Sequence, residues 1–248
     1  MTRLLALLAL LPAPALADSF VLVPGAFGGA WTWDAVAPLL TAQGHHVTAV
    51  ELKGQGARVA ENGPEVSVED HIADVARAIE AAPPPVILVA HSYGGRPATG
   101  AWDRTRDRIA HVVWVEAPVP LRDTGLPPDS RSLAFVVTTF PEAADTGMLS
   151  PPPTRSGTYA HELTPMSLKA LYGPVPLSAP LPPIPGTFVV ATGSDIPGFR
   201  RLGEVLRDQK GWTLQEVPGG HDIPLEQPEA LARVLLEIAH RTDGPDVP

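Results

Sequence analysis

The chain has no cysteine among its 248 residues. That removes disulfides, thiol nucleophiles, thiolate metal sites and a cysteine-linked lipid anchor. Charge of one sign is scarce as well: 18 basic residues face 27 acidic ones, and the net charge of −9 is the wrong sign for binding nucleic acid or anionic membranes. Long apolar runs are also missing. The run Leu4 to Leu11 falls short of the ~20 residues of a membrane-spanning helix, so no stable membrane insertion is expected. Arg3 precedes that run and Ala15-Leu16-Ala17 follows it with the small-x-small form of a secretory cleavage site. Residues 1–17 are therefore expected to act as a signal peptide cut before Asp18, giving a periplasmic or secreted protein.

What remains is 44% hydrophobic, enough for one globular α/β unit with an insertion. Apolar strands are predicted at Ser19–Val23, Val47–Val50, Val86–Ala90, Ala110–Val115, Thr187–Ala191 and Thr213–Glu216. Between them, helical faces are expected at Trp31 to Leu40, after a Ser67/Asp70 cap, from Gly94 to about Trp102, at Phe199 to about Gln209, and at Pro228 to His240. Such alternation implies a mostly parallel sheet with helices on both faces. The stretch 118–185 breaks the pattern, because it holds half of the 30 prolines, each of which removes a donor and fixes φ. Its apolar residues, among them Phe140, Leu163, Met166 and Leu171, mark it as a lid or cap insertion. It divides a core of residues 18–117 and 186–248.

The chemistry is sought where such sheets bind ligands, beyond the carboxyl ends of the strands. Val86 to Ala90 runs into Ala90-His91-Ser92-Tyr93-Gly94, a small-x-Ser-x-small pattern close to the nucleophile elbow G-x-S-x-G, in which a sharp strand-to-helix turn exposes the serine hydroxyl. A serine needs a base. Of the eight histidines, His221 follows a late strand through Val217-Pro-Gly-Gly and is the expected base. His45 and His46 are expected to be solvated at a turn, and His71 sits in the polar first turn of a helix. The imidazole needs a carboxylate to orient it. Asp195, in the loop Ala191-Thr-Gly-Ser-Asp195, is the expected acid; Glu116, which ends the strand before the insertion, is the alternative. An oxyanion hole needs two backbone N–H groups. Tyr93 is expected to supply one, and Ala26 in the loop Pro24 to Ala30 the other, with Phe27 as fallback.

The segments Phe20-Val-Leu-Val-Pro-Gly-Ala-Phe-Gly-Gly-Ala-Trp-Thr-Trp33, Pro38-Leu39-Leu40, Gly44-His45-His46-Val47, Ala90 to Gly95, Asp195 to Phe199 and Gly219-Gly220-His221 resemble the plant methylesterase and hydroxynitrile lyase branch of the α/β-hydrolases. Its bacterial relatives include pyrethroid-type carboxylesterases. The resemblance implies the α/β-hydrolase fold, the nucleophile–acid–base order Ser92, Asp195, His221, and no metal or organic cofactor. Three positions depart: Pro24 replaces the branch's usual histidine, and its lyases carry a threonine at Gly25 and a lysine at Asp222. Lacking that cation, the chain is expected to hydrolyse small or medium hydrophobic or aromatic esters. The alternatives are a lyase using the same residues and a noncatalytic binder of hydrophobic ligands.

Overall fold

The computed structural model describes residues 18–120, 138–152, 162–194, 196 and 198–242. Six parallel strands form the central sheet: β1 (Ser19–Val23), β2 (His46–Ala49), β3 (Val86–His91), β4 (Ile109–Val115), β7 (Gly186–Ala191) and β8 (Thr213–Val217). Their spatial order is β2-β1-β3-β4-β7-β8. The short strands β5 (Met148–Leu149) and β6 (Met166–Ser167) pair antiparallel within the insertion.

The sheet is buried on both sides, and successive side chains feed two cores. Val21, Leu88, Ala90, Val112, Trp114, Phe188 and Val190 face one. Phe20, Leu22, Ile87, Val89, Val113, Val115 and Val189 face the other. Two helices, α2 (Val68–Ala81) and α3 (Gly95–Arg104), cover the first face. On the second lie α1 (Ala37–Thr41) and the last helix, α8 (Pro228–Thr242). The expected helical face from Trp31 to Leu40 is split into a 3-10 turn at Ala30–Trp33 and α1. Pro38 near the start of α1 has no N–H for a continuous helical ladder. The capping box is present: the Ser67 hydroxyl accepts from the Asp70 amide, and the Asp70 carboxylate accepts from the Ser67 amide.

In the insertion, α4 (Pro141–Thr146) and α5 (Leu168–Tyr172) are single-turn helices whose Ala143, Ala170 and Leu171 join the first core. The chain then returns through prolines to β7, beyond which come α6 (Phe199–Lys210) and the short α7 (Ile223–Glu226). Among the described residues, no helix is long and apolar enough to cross a membrane. Residues 1–17, where the signal peptide is expected, lie outside those described, as do 121–137 and 153–161 of the insertion.

Candidate active site

Three non-glycine residues among those described have positive φ: Phe27 at 69°, Ser92 at 49° and Glu116 at 47°. All three follow the carboxyl ends of neighbouring strands, β1, β3 and β4. A side chain in this region costs of order 1 kcal/mol or more, and such residues cluster where surrounding structure holds a site in place. At Ser92 the turn leads straight into a 3-10 turn, Ser92–Gly94, and then α3. This is the expected elbow, and the glycine after it has a measurable reason. A Cβ at Gly94 would lie 2.6 Å from the Pro24 carbonyl oxygen and 2.9 Å from that of Val23.

The elbow brings Ser92 and His221 together: the serine hydroxyl lies 2.8 Å from His221 Nε2. On the far side of the ring, Nδ1 is 3.3 Å from Glu116 Oε2. With Nδ1 carrying the proton, the imidazole donates to Glu116 and Nε2 accepts from Ser92. Glu116 is wholly buried but fully engaged. Its Oε1 accepts from the Ala191 amide at 2.9 Å, and its Oε2 accepts from the Ser194 hydroxyl at 2.6 Å. These donors hold both carboxylate oxygens in place beside the ring. Register explains the placement, since the Glu116 amide donates to the Val189 carbonyl at 2.9 Å and so sits directly beside β7. Asp195, the acid expected from chain order, lies outside the described residues. Among the described residues, the carboxylate at the ring is that of the alternative, Glu116.

Several supporting groups had no clear signal in the sequence. Phe199, the first residue of α6, stacks on the His221 ring at 5.7 Å with an interplanar angle of 6°. His91 donates from Nε2 to the His221 carbonyl at 2.9 Å and so braces the loop from behind the elbow. His71 is fully buried, not part of a polar surface. Its Nδ1 meets the Tyr93 hydroxyl at 2.8 Å and its Nε2 the Lys53 carbonyl at 2.9 Å. A carbonyl can only accept, so Nε2 carries the proton and Nδ1 accepts from tyrosine. Burial lowers the His71 pKa and raises that of Tyr93, which keeps both groups neutral. His45 is likewise buried, edge-on to Phe20 at 5.2 Å, rather than solvated.

The expected oxyanion loop lies against this centre. Phe27, the fallback donor, points its amide at the Met166 sulfur, 3.0 Å away, and so ties the loop to the insertion. Its carbonyl accepts from the Thr164 amide at 2.9 Å. Ala26 instead lines a small cavity of about 50 Å³ with Gly25, Trp31, His91, Leu163 and Asp222. One nitrogen each of His91 and His221 and an Asp222 oxygen lie within 4.8 Å of one another, a spacing a metal could use. Yet both His221 nitrogens and His91 Nε2 already make the hydrogen bonds given above, and the set reads as a braced loop.

A model of the alpha/beta hydrolase family matches residues 20–234. The chain belongs to the alpha/beta hydrolase family. A carbendazim hydrolyzing esterase of Nocardioides sp. (strain SG-4G) is 31% identical over 240 residues, covering 89% of this chain and 99% of that protein. Methylesterase 2 of Arabidopsis thaliana is 36% identical over 126 residues, 50% of this chain and 47% of its own length. The match to that plant relative thus spans about half of it. Among solved structures, a variant of tomato methylketone synthase I complexed with beta-ketoheptanoate superposes with a TM-score of 0.73 at 20% identity, over 91% of this chain and 99% of its own. A pyrethroid hydrolase from Sphingobium faniae JZ-2 gives 0.67 at 21% identity, over 90% and 97%. At that identity the structural likeness speaks for the fold. Esterases and hydrolases recur among the relatives by name, and this family member is an enzyme of the carboxylesterase type.

Proposed function

We propose that the chain hydrolyses carboxylic esters through a serine-bound acyl-enzyme. The observation that carries this reading is the hydrogen-bonded series Ser92, His221, Glu116. Ser92 Oγ attacks the acyl carbon as its proton passes to His221 Nε2. His221 then gives that proton to the departing alkoxide; in the second half it takes one from water, whose oxygen attacks the acyl carbon, and returns it to Ser92 Oγ as the acyl–oxygen bond to serine breaks and the acid is released. Glu116 stabilises the imidazolium formed in each half. The oxyanion is held by the backbone N–H groups of Tyr93 and Ala26. Neither half requires a metal or an organic cofactor.

The substrate class is an ester with a hydrophobic or aromatic part. Support comes from the apolar residues of the insertion beside the site, Leu163 and Met166, and from Phe199 against the base. We further propose that residues 1–17 direct export, which mass measurement of the chain recovered from the cell envelope would test by placing the first residue at Asp18. A lyase reading is less well supported. A Cβ on Gly25 would meet His91 Nδ1 at 2.8 Å and Ser92 Cβ at 3.1 Å, leaving no room for a threonine there without moving the elbow.

The test is hydrolysis of p-nitrophenyl butyrate by the wild type and by Ser92→Ala, Glu116→Gln and Asp195→Asn. Ser92→Ala should lose at least about 10³-fold in kcat, and Glu116→Gln a comparable amount through the wrong tautomer. Asp195→Asn should stay within a few-fold of wild type. Full activity in Ser92→Ala would refute the serine mechanism. A large loss in Asp195→Asn with little in Glu116→Gln would transfer the acid role to Asp195.

A further inference from the structure

The insertion grips the oxyanion loop at one residue. Phe27 has a φ of 69°, a conformation that persists in a non-glycine residue where surrounding contacts over-determine it. Both of its backbone polar groups are engaged by the insertion. Its N–H donates to Met166 Sδ at 3.0 Å, and its carbonyl accepts from the Thr164 amide at 2.9 Å. Phe27 and Met166 are both buried, so the sulfur stands where water would otherwise have to satisfy that N–H.

The segment that carries these groups is fixed in turn. The Thr164 hydroxyl donates to Gln55 Oε1 at 2.9 Å, and Gln55 is itself buried. The Pro165 carbonyl accepts from Asn62 Nδ2 at 2.9 Å, and the Ser167 hydroxyl donates to the Pro64 carbonyl at 3.0 Å. Met166 also pairs with Leu149 across β5 and β6. The clamp therefore has a base of its own.

Its effect falls on Ala26. The peptide between Ala26 and Phe27 is oriented by the bond to sulfur. On the other side, Gly25 lies against the elbow, where a Cβ would meet His91 Nδ1 at 2.8 Å and Ser92 Cβ at 3.1 Å. The Ala26 N–H belongs to the peptide strung between these two fixed points.

We propose that Met166 and Thr164 are positioning residues for the oxyanion hole: they hold Phe27 in its left-handed conformation and through it aim the Ala26 N–H. This rests on the acyl-enzyme reading above, and it gives the insertion a part in transition-state stabilisation besides contact with substrate. An oxyanion donor acts on charge that develops only in the transition state, so a displaced loop lowers kcat and leaves KM nearly unchanged.

In a Met148→Leu background, Met166 is the only methionine after Met1. That protein is produced with methionine, selenomethionine or norleucine. Selenium still accepts a hydrogen bond, and the norleucine methylene cannot. With p-nitrophenyl butyrate, the norleucine protein should lose about ten- to a hundredfold in kcat, with KM changed by less than about twofold. The selenomethionine protein should match the methionine one. Affinity for 1-butaneboronic acid, which bonds Ser92 Oγ and presents a boron-bound oxygen to the hole, should fall by the same factor as kcat/KM. Thr164→Val should lose several-fold in kcat, and Thr164→Ser, which keeps the hydroxyl, should not. Equal kcat in the norleucine and methionine proteins would overturn the proposal, as would an equal loss with selenomethionine, a loss confined to KM, or unchanged boronate affinity. Should the norleucine protein fail to fold, a wild-type kcat in Thr164→Val overturns it. Ser92→Ala, assayed in parallel, keeps the two readings apart. If it is inactive, those outcomes strike the clamp alone; if it is as active as wild type, the acyl-enzyme reading falls and the positioning role with it.

Discussion

At the residue scale, the site is held by backbone that most side chains avoid. Ser92 and Glu116 both sit at φ near +50°, in the left-handed region where Cβ crowds the following carbonyl. At position 92 this makes stability and activity separable. Ser92→Gly and Ser92→Ala both remove the proposed nucleophile, but glycine loses the Cβ penalty and alanine keeps it. Ser92→Gly should therefore be the more stable of the two by about 1 kcal/mol, as read from urea midpoints at pH 7.5. If the alanine variant is as stable as the glycine variant, the turn is not under the strain its φ implies. Gly25 belongs to the same argument from the opposite direction. It is required by close approach rather than by its own φ, since His91 and Ser92 occupy the space a side chain would need.

At the element scale, α2 and α3 pack together behind the elbow. A Cβ on Gly100 would lie 2.5 Å from Ile72 Cδ1, so the Ile72 side chain of α2 packs directly on the backbone of α3. The first turn of α2 also delivers His71 to Tyr93. Loss of the Ser67 cap should be felt at that turn. Ser67→Ala should cost about 1 kcal/mol in a urea titration, and hydrogen exchange should quicken first at the amides of residues 69–71. The cap was legible in the sequence because a serine three residues before an acid is a local signal, and β1, β3 and β7 were legible as short apolar runs bounded by glycine or proline. Legibility ended where contacts between distant segments decide. His71 reads as polar because its neighbours Glu69 and Asp70 are, and only the packing of α2 on the elbow buries it. Asp195 and Glu116 both follow strands, and nothing local tells which carboxylate meets the imidazole. The register of β4 against β7 places Glu116 at the ring, while Asp195 lies outside the described residues. The short helices at Gly56–Glu61, α4 and α7 are under two turns long, too short for a hydrophobic period to be read.

At the scale of the whole molecule, the candidate site lies beyond the carboxyl ends of the parallel sheet and His111 lies near the amino end of β4. Stability depends on pH through two neutral histidines, the half-buried His111 and the buried His71. His111, which begins near the amino end of β4 and lies 3.0 Å from the Thr187 hydroxyl, has its pKa lowered to about 4, first by burial and then by the charge of Arg241. Burial lowers His71 as well. In the unfolded chain both protonate near pH 6.5, so below that pH the unfolded state binds protons that the folded state refuses. Their contribution is complete above pH 6.5 and is lost as the pH falls, with the loss from His111 ending near about 4 where the folded state also protonates. Asp70 continues the trend lower down. Burial raises its pKa, but hydrogen bonds from Lys53 and Ser67 outweigh that and hold it at about 2; its stabilisation is present above the ordinary carboxylate pKa of roughly 4 and fades toward 2. Between pH 6 and pH 5, His111 should steepen the fall in unfolding free energy by up to about 1.4 kcal/mol per pH unit. Urea midpoints measured at pH 7.5, 6 and 5 should decline, and His111→Gln, which can keep the hydrogen bond to Thr187 without taking up a proton, should decline less. Parallel curves for the two proteins would mean that His111 is protonated in the folded chain at these pH values, against the effect of its burial.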